Sequence, residues 1–200
     1  MTTLTASTHA SPRRPTGTSV AVFCGARPGT PAAAAVARRV GELLGRGGHR
    51  LIYGGGGSGL MGELAWSAYE HGAGILGVLP GFLHEKERNI AAPPQTVRLT
   101  ESMDERKAVM LAEADAFLAL PGGYGTVDEI LDVISLTYLE QHRKPMALVQ
   151  VEGEWVGLAE VLDGLVRGGY ADPLPGDLFQ VMDDPVKAVE LVTAPVATVR

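Results

Sequence analysis

From Ser19 onward the chain alternates short apolar runs with longer stretches in which apolar residues recur every three or four positions. Val20-Ala21-Val22-Phe23-Cys24 is continuous and short, the pattern of a strand buried on both faces. Gly25 stops it, and an alanine-rich helix is expected from Pro31 to about Arg46, with proline in the favourable first turn and Gly47-Gly48 closing it. Leu51-Ile52-Tyr53 reads as a second strand that runs into Gly54-Gly55-Gly56-Gly57-Ser58-Gly59, followed by a helix from Leu60 to about His71. Ile75 to Leu79 is a third strand, ended by Pro80-Gly81. Phe82 to Gln95 is polar and turn-rich, and is expected to be a lid or site-lining loop. Val97–Leu99 is a short strand, Ser102 to about Glu113 a helix and Ala116–Leu120 a further strand. The turn Pro121-Gly122-Gly123-Tyr124-Gly125 comes next, then a helix from Thr126 to about Glu140. A strand over Pro145–Val151, a helix over Trp155–Arg167, a weak strand and a helix near Pro185–Val192 complete the chain.

Apolar strands alternating with helices require a parallel sheet covered on both faces. The expected fold is therefore α/β, a Rossmann-like open, doubly wound parallel sheet with helices on both faces. It forms a single domain over residues 18–200, with residues 1–17, rich in Thr, Ser and Pro, as a mobile tail. In such sheets ligands bind beyond the carboxyl ends of the strands, and both glycine clusters fall at those strand-to-helix turns.

Composition narrows the function. Glycine supplies 26 of 200 residues, well above the usual ~7%, and the glycines cluster at turns instead of repeating. The formal charge of −6 argues against a surface built for nucleic acid but leaves room for a small anion held in one positive pocket. A lone cysteine, Cys24, excludes an intramolecular disulfide and suits a reducing, cytoplasmic setting. No run approaches the ~18 apolar residues of a membrane span, and the N-terminal stretch lacks the pattern of a secretory signal. The five histidines show no metal-ligand spacing, so no metal is expected. Trp66 and Trp155 are expected to be packing residues.

A strand, a glycine-rich turn and a helix together present unpaired amides at the positive end of the helix dipole, which favours phosphate. Gly54-x-Gly56-x-x-Gly59 matches the dinucleotide fingerprint by letter, but it follows the second strand, and the position about 20 residues on falls in Ile75–Leu79, which has no carboxylate for a ribose hydroxyl. Pro121-Gly122-Gly123-Tyr124-Gly125-Thr126-Val127-Asp128-Glu129 lacks the Gly-Lys-Ser/Thr ending of a nucleoside-triphosphate loop. Thr126 and Glu129 also fit a helix capping box, as do Ser102 and Glu105. Arg106 shares a helix side with Met103 and Met110, an apolar setting for a charged group.

Three motifs taken together, Gly54–Gly62, Met103-Asp104-Glu105-Arg106-Lys107 and Pro121–Glu129, resemble the Lonely Guy family of cytokinin-activating phosphoribohydrolases, long labelled lysine decarboxylases. The resemblance runs from Val20 to about Val192. It implies hydrolysis of the N-glycosidic bond of an N6-modified adenosine 5′-monophosphate, without a cofactor, to free base and ribose 5-phosphate. By motif, Arg106 and Glu129 would be the catalytic pair. Glu87, Met103, Lys107, Gly122, Gly123, Tyr124, Gly125, Thr126, Ser135, Gly55 and Gly56 would line the nucleotide site with them. The resemblance also implies a homodimer or larger assembly with sites near the subunit interface. Two departures stand out. Where the family often has Cys-Gly-Ser-Ser, this chain has Cys24-Gly25-Ala26-Arg27, trading a hydroxyl for a positive charge; and the spacing from Glu87 to Arg106 is one residue longer than is common.

Cleaving a ribosyl–base bond builds positive charge on the sugar. A carboxylate near the anomeric carbon stabilises that charge and orients or deprotonates water, a role that suits Glu129, one helical turn past the amides of the turn. Arg106, always protonated, would hydrogen-bond the substrate, and Asp132, three residues past Glu129, would share its helix face and raise its pKa. Two alternatives stay open at the level of sequence: a broader nucleosidase acting on ordinary purine monophosphates, and a non-catalytic nucleotide or cofactor carrier. Lysine decarboxylation fits poorly, since none of the four lysines (Lys86, Lys107, Lys144, Lys187) sits in a recognisable pyridoxal phosphate context.

Overall fold

A computed structural model describes residues 17–87, 91–174, 176 and 179–195. The expected N-terminal tail lies outside them except for Gly17, which abuts the Gly48 carbonyl closely enough to leave no space for a side chain. In chain order the elements are β1 (Ser19–Phe23), α1 (Pro31–Arg46), β2 (Arg50–Tyr53), α2 (Gly59–Glu70), β3 (Gly74–Pro80), α3 (Gly81–Glu87) and β4 (Thr96–Thr100). There follow α4 (Met103–Glu113), β5 (Ala116–Ala119), α5 (Tyr124–Tyr138), β6 (Met146–Val149), α6 (Val156–Arg167), β7 (Phe179–Met182) and α7 (Pro185–Thr193).

The strands form one parallel sheet in the order β4-β3-β2-β1-β5-β6-β7. β1 lies centrally, with Val20 opposite Leu51 of β2 on one side and Ala116 of β5 on the other. Successive connections carry the chain outward from β1 to β4. It then returns to the other side of β1, which opens a crevice at the carboxyl ends of β1 and β5. Alternate residues of each central strand feed two cores. Val20, Val22, Leu118 and Leu120 face α1, α2 and α7, while Ala21, Phe23, Phe117 and Ala119 face α4, α5 and α6. The continuous apolar runs are explained by this burial on both faces.

Local chemistry sets several ends as expected. Thr30 caps α1 by accepting the Ala33 N–H at 3.2 Å, ahead of Pro31. At α4 Ser102 accepts the Glu105 N–H at 3.1 Å, while the Glu105 carboxylate accepts the Glu101 N–H at 2.7 Å. Three expectations change. The segment Phe82 to Gln95 opens with the helix α3 rather than being loop throughout, and residues 88–90 lie outside the described residues. α5 begins two residues earlier than expected, capped by Gly123, so Thr126 is a buried residue of the first turn and not a cap. Trp155 is buried and donates to the Val149 carbonyl, but Trp66 is 38% exposed, its indole N–H reaching only the Ala91 carbonyl at 3.4 Å.

Candidate active site

Three loops meet at the crevice between β1 and β5. The Gly25 N–H donates to the Pro121 carbonyl at 3.1 Å, and the Leu120 N–H to Phe23 at 2.8 Å, tying the end of β1 to the glycine turn after β5. The same β1–α1 loop holds the start of α2, where Leu60 N–H donates to Arg27 and Met61 N–H to Gly25, both at 3.2 Å. Gly59, at φ +58°, makes this approach possible, since a side chain there would meet the backbone of Ala26 and Arg27.

Inside the crevice Arg106 of α4 and Glu129 of α5 pair at 2.7 Å, Nη1 to Oε1, with both side chains almost wholly buried. The Arg106 Nε also donates to the Val78 carbonyl at the end of β3, at 3.0 Å. The apolar side of α4 thus carries a buried charge whose partners come from two other elements; a snorkelling arginine would have reached solvent. Burial pushes the Glu129 carboxyl above the usual carboxylate range; Arg106 pulls against that rise, by charge and hydrogen bond, and Asp128 adds to it. Asp132 does not take the part expected of it. Its carboxylate turns to Lys107.

Lys107 stands between two carboxylates, 2.9 Å from both Asp128 and Asp132. The hydrogen bonds it donates to Asp132 and Asp128 hold its ammonium well above the ordinary lysine range. Adjacent residues of α4, Arg106 and Lys107, therefore clasp α5 at two points.

The turn after β5 is shaped by Gly122, where any side chain would run into Thr126. Gly123 and Gly125 face open space and Tyr124 is 97% exposed, so the first amides of α5, which have no intrahelical acceptors, border solvent. Met103 is partly buried one turn before Arg106. Gly55 and Gly56 are buried, and Gly55, at φ +78°, lies against Leu79, so these two belong to the packing of the turn. Glu87 ends α3, and its side chain is outside the described residues.

Ser135 is not brought to this place. It lies on the outer face of α5, lining a groove of about 530 Å³ with Ile134, Tyr138, Leu162, Leu165 and Phe179, between α5, α6 and β7.

The sequence did not point to Val78, which acts through its carbonyl, and it marked Gly54 only as part of a glycine motif, not as the residue that gives up its side-chain space to Arg106. It also left Cys24 without a role. The thiol is buried, and burial followed by the charge of Glu129 pushes its pKa far up. Among the described residues no group of His, Cys, Asp and Glu has the arrangement of a metal site, and no helix is long and apolar enough to cross a membrane.

A family model described as "Possible lysine decarboxylase" matches residues 61–192. A "Probable cytokinin riboside 5'-monophosphate phosphoribohydrolase" of Oryza sativa subsp. japonica is 41% identical over 155 residues, which cover 77% of this chain and 63% of the relative. A second from the same plant is 37% identical over 176 residues, 88% of this chain and 75% of the relative. A cytokinin riboside 5'-monophosphate phosphoribohydrolase of Arabidopsis thaliana is 38% identical over 156 residues, 78% and 71% of the two chains. Among solved structures, a molybdenum cofactor binding protein from Rippkaea orientalis superposes with a TM-score of 0.66 at 20% identity, covering 91% of this chain and 97% of its own. A molybdenum cofactor carrier protein from Chlamydomonas reinhardtii gives 0.65 at 20% identity over 88% and 95%. At that identity the two structures speak to the fold.

Proposed function

This chain belongs to the Lonely Guy family of phosphoribohydrolases, and on that footing we propose that it hydrolyses the N-glycosidic bond of N6-modified adenosine 5′-monophosphates to free base and ribose 5-phosphate. The observation that carries the reading is the buried Arg106–Glu129 pair at the crevice between β1 and β5, beside the open amides at the start of α5.

A 5′-phosphate seated on those amides would bring its ribose toward Glu129, one turn further along α5. Cleavage moves the electrons of the C1′–N bond onto the base and leaves the sugar electron-poor, as in other glycoside hydrolyses. The Glu129 carboxylate stabilises that charge and accepts a proton from the attacking water, whose oxygen closes the new bond at C1′; the departing base, holding the electron pair of the broken bond, is protonated from solvent, to which Glu129 returns its own proton. The Arg106 guanidinium favours the carboxylate form of Glu129, opposing the rise that burial causes, and faces negative charge developing on the leaving base. A dry, preorganised pair serves this chemistry because its field is weakly screened.

Glu129→Gln is the direct test, since the amide can still accept the Arg106 hydrogen bond. Release of base should fall at least ~100-fold, the usual consequence of losing a positioned acid–base group, with binding of the monophosphate still measurable by calorimetry. Activity within about threefold of the unsubstituted protein would reject the role. Comparing plain with N6-prenylated adenosine monophosphate as substrates would fix the base preference.

The same reading includes a cytoplasmic setting and a homodimer or larger homo-oligomer. What supports assembly is α6, which buries no residue in the single chain and leaves Val156, Val161 and Leu165 exposed, with Leu165 lining a groove that also exposes Tyr138 of α5. Light scattering should give at least a dimer mass, and Val161→Glu should lower it.

A further inference from the structure

The charges around the crevice do not suffice for a phosphate. Arg106 is matched by Glu129, and Lys107 by both Asp128 and Asp132, so the cluster holds two cations against three carboxylates. A phosphate monoester, carrying a charge of about −1.5 to −2 near neutrality, meets no net attraction from that group. The amides of α5 contribute only the equivalent of roughly half a positive charge.

We propose that Arg27 supplies the missing charge and binds the 5′-phosphate of the substrate, an inference that rests on the monophosphate reading above. Arg27 is exposed, and its side chain meets no carboxylate among the described residues. Its backbone, by contrast, is fixed. The Arg27 carbonyl accepts from Leu60, the neighbouring Ala26 carbonyl accepts from the Ser58 hydroxyl at 3.3 Å, and Gly25 is held by Pro121. The loop that carries this free guanidinium is therefore hydrogen-bonded to both glycine turns, and a side-chain carbon on Gly25 would lie 3.4 Å from the Gly122 Cα.

Among the described residues the other cations without a carboxylate ion pair lie on other elements. Arg143 and Lys144 follow the C-terminal end of α5 and Arg167 ends α6, at the amino edge of the sheet, while Lys187 lies in the first turn of α7, which starts from the edge strand β7 and packs on α1, β5 and β6. A guanidinium suits a phosphate better than an ammonium, because its planar donors engage two oxygens at once.

The full-length protein and its Arg27→Ala, Arg27→Lys and Arg167→Ala variants are compared in base release from adenosine monophosphates and in calorimetric binding of adenosine monophosphate, adenosine and ribose 5-phosphate. Losing a charge-assisted contact should raise KM for the monophosphate about 10- to 100-fold in Arg27→Ala, with kcat within about threefold. Ribose 5-phosphate should weaken in parallel, adenosine should be unaffected, Arg27→Lys should recover part of the loss and Arg167→Ala should behave as the unsubstituted protein. A KM within twofold of the unsubstituted protein, or equal weakening of adenosine and its monophosphate, overturns the proposal. Should the unsubstituted protein release no base from any monophosphate, the hydrolase reading fails by itself. The calorimetric comparison then still decides on Arg27: weaker binding of the monophosphate in Arg27→Ala sustains the contact, and equal binding removes it.

Discussion

A side-chain carbon on Gly54 would overlap Nη2 of Arg106, so the turn after β2 keeps its glycine in order that the guanidinium can lie across it. The flexible Met61 side chain borders the same space from the other side, 3.1 Å from where that carbon would be. Gly54 has no positive φ, and alanine there strains no backbone.

Gly54→Ala should therefore fold normally and lose activity, because the methyl group must push Arg106 off its hydrogen bonds to Val78 and Glu129. A displacement of about 1 Å at a reacting group can lower rates ~100-fold. Steady-state kinetics should show the loss mainly in kcat, with the melting temperature held within a few degrees. Full activity would mean that the guanidinium position is immaterial.

The pH profile follows from Glu129. Its carboxyl titrates above the ordinary ~4.3 of glutamate because burial outweighs the pull of Arg106. The carboxylate form is the working one, so the acid limb of kcat/KM should lie above the ordinary glutamate range. The folded chain also holds this proton more tightly than the unfolded chain does. The group thus favours folding below its raised pKa and opposes folding above it. Arg106→Gln removes the strongest influence lowering that pKa, and the residual activity should have its acid limb moved to higher pH. A limb that stays in place or moves down would contradict the coupling.

Gly41 marks the crossing of α1 on α2. A Cβ there would meet the Leu64 carbonyl, the Ala68 nitrogen and the Ser67 side chain, and Ser67 already hydrogen-bonds the Arg38 carbonyl at 2.7 Å. Two effects oppose each other in Gly41→Ala. Helix propensity improves by roughly 1 kcal/mol, whereas overpacking against backbone costs about 1–3 kcal/mol. The clash should win, because neighbouring backbone cannot swing aside as a side chain can. Thermal unfolding should show a lower midpoint, by about 2–4 °C for each kcal/mol in a chain of this size.

Cys24 should be unreactive in the native state. Burial raises its pKa, the charge of Glu129 raises it further, and only the thiolate attacks disulfides and alkylating agents. A thiol reagent such as dithiobis(nitrobenzoate) should titrate no thiol in the native protein and one after denaturation. Rapid native labelling would show that the crevice opens to the sulfur.

The sheet, its helices and most of their ends are legible in the residues alone. These depend on information a few residues wide: apolar runs for strands buried on both faces, Thr30-Pro31 for the start of α1, Ser102 and Glu105 for the start of α4. The family resemblance of the motifs also singled out Arg106 and Glu129. What those residues meet depends on how distant segments pack together. Thr126 and Glu129 have the letters of a capping box, yet the helix starts at Tyr124 and the carboxylate turns to an arginine on another helix. Ser135 shares α5 with Glu129 but projects from its outer face, and Asp132 spends its charge on Lys107. Such pairings depend on β5 lying beside β1, which sets α4 against α5, and on the glycine at 54 that clears the space between them. Strand order is fixed by burial summed over the whole chain, and no local window of sequence contains it.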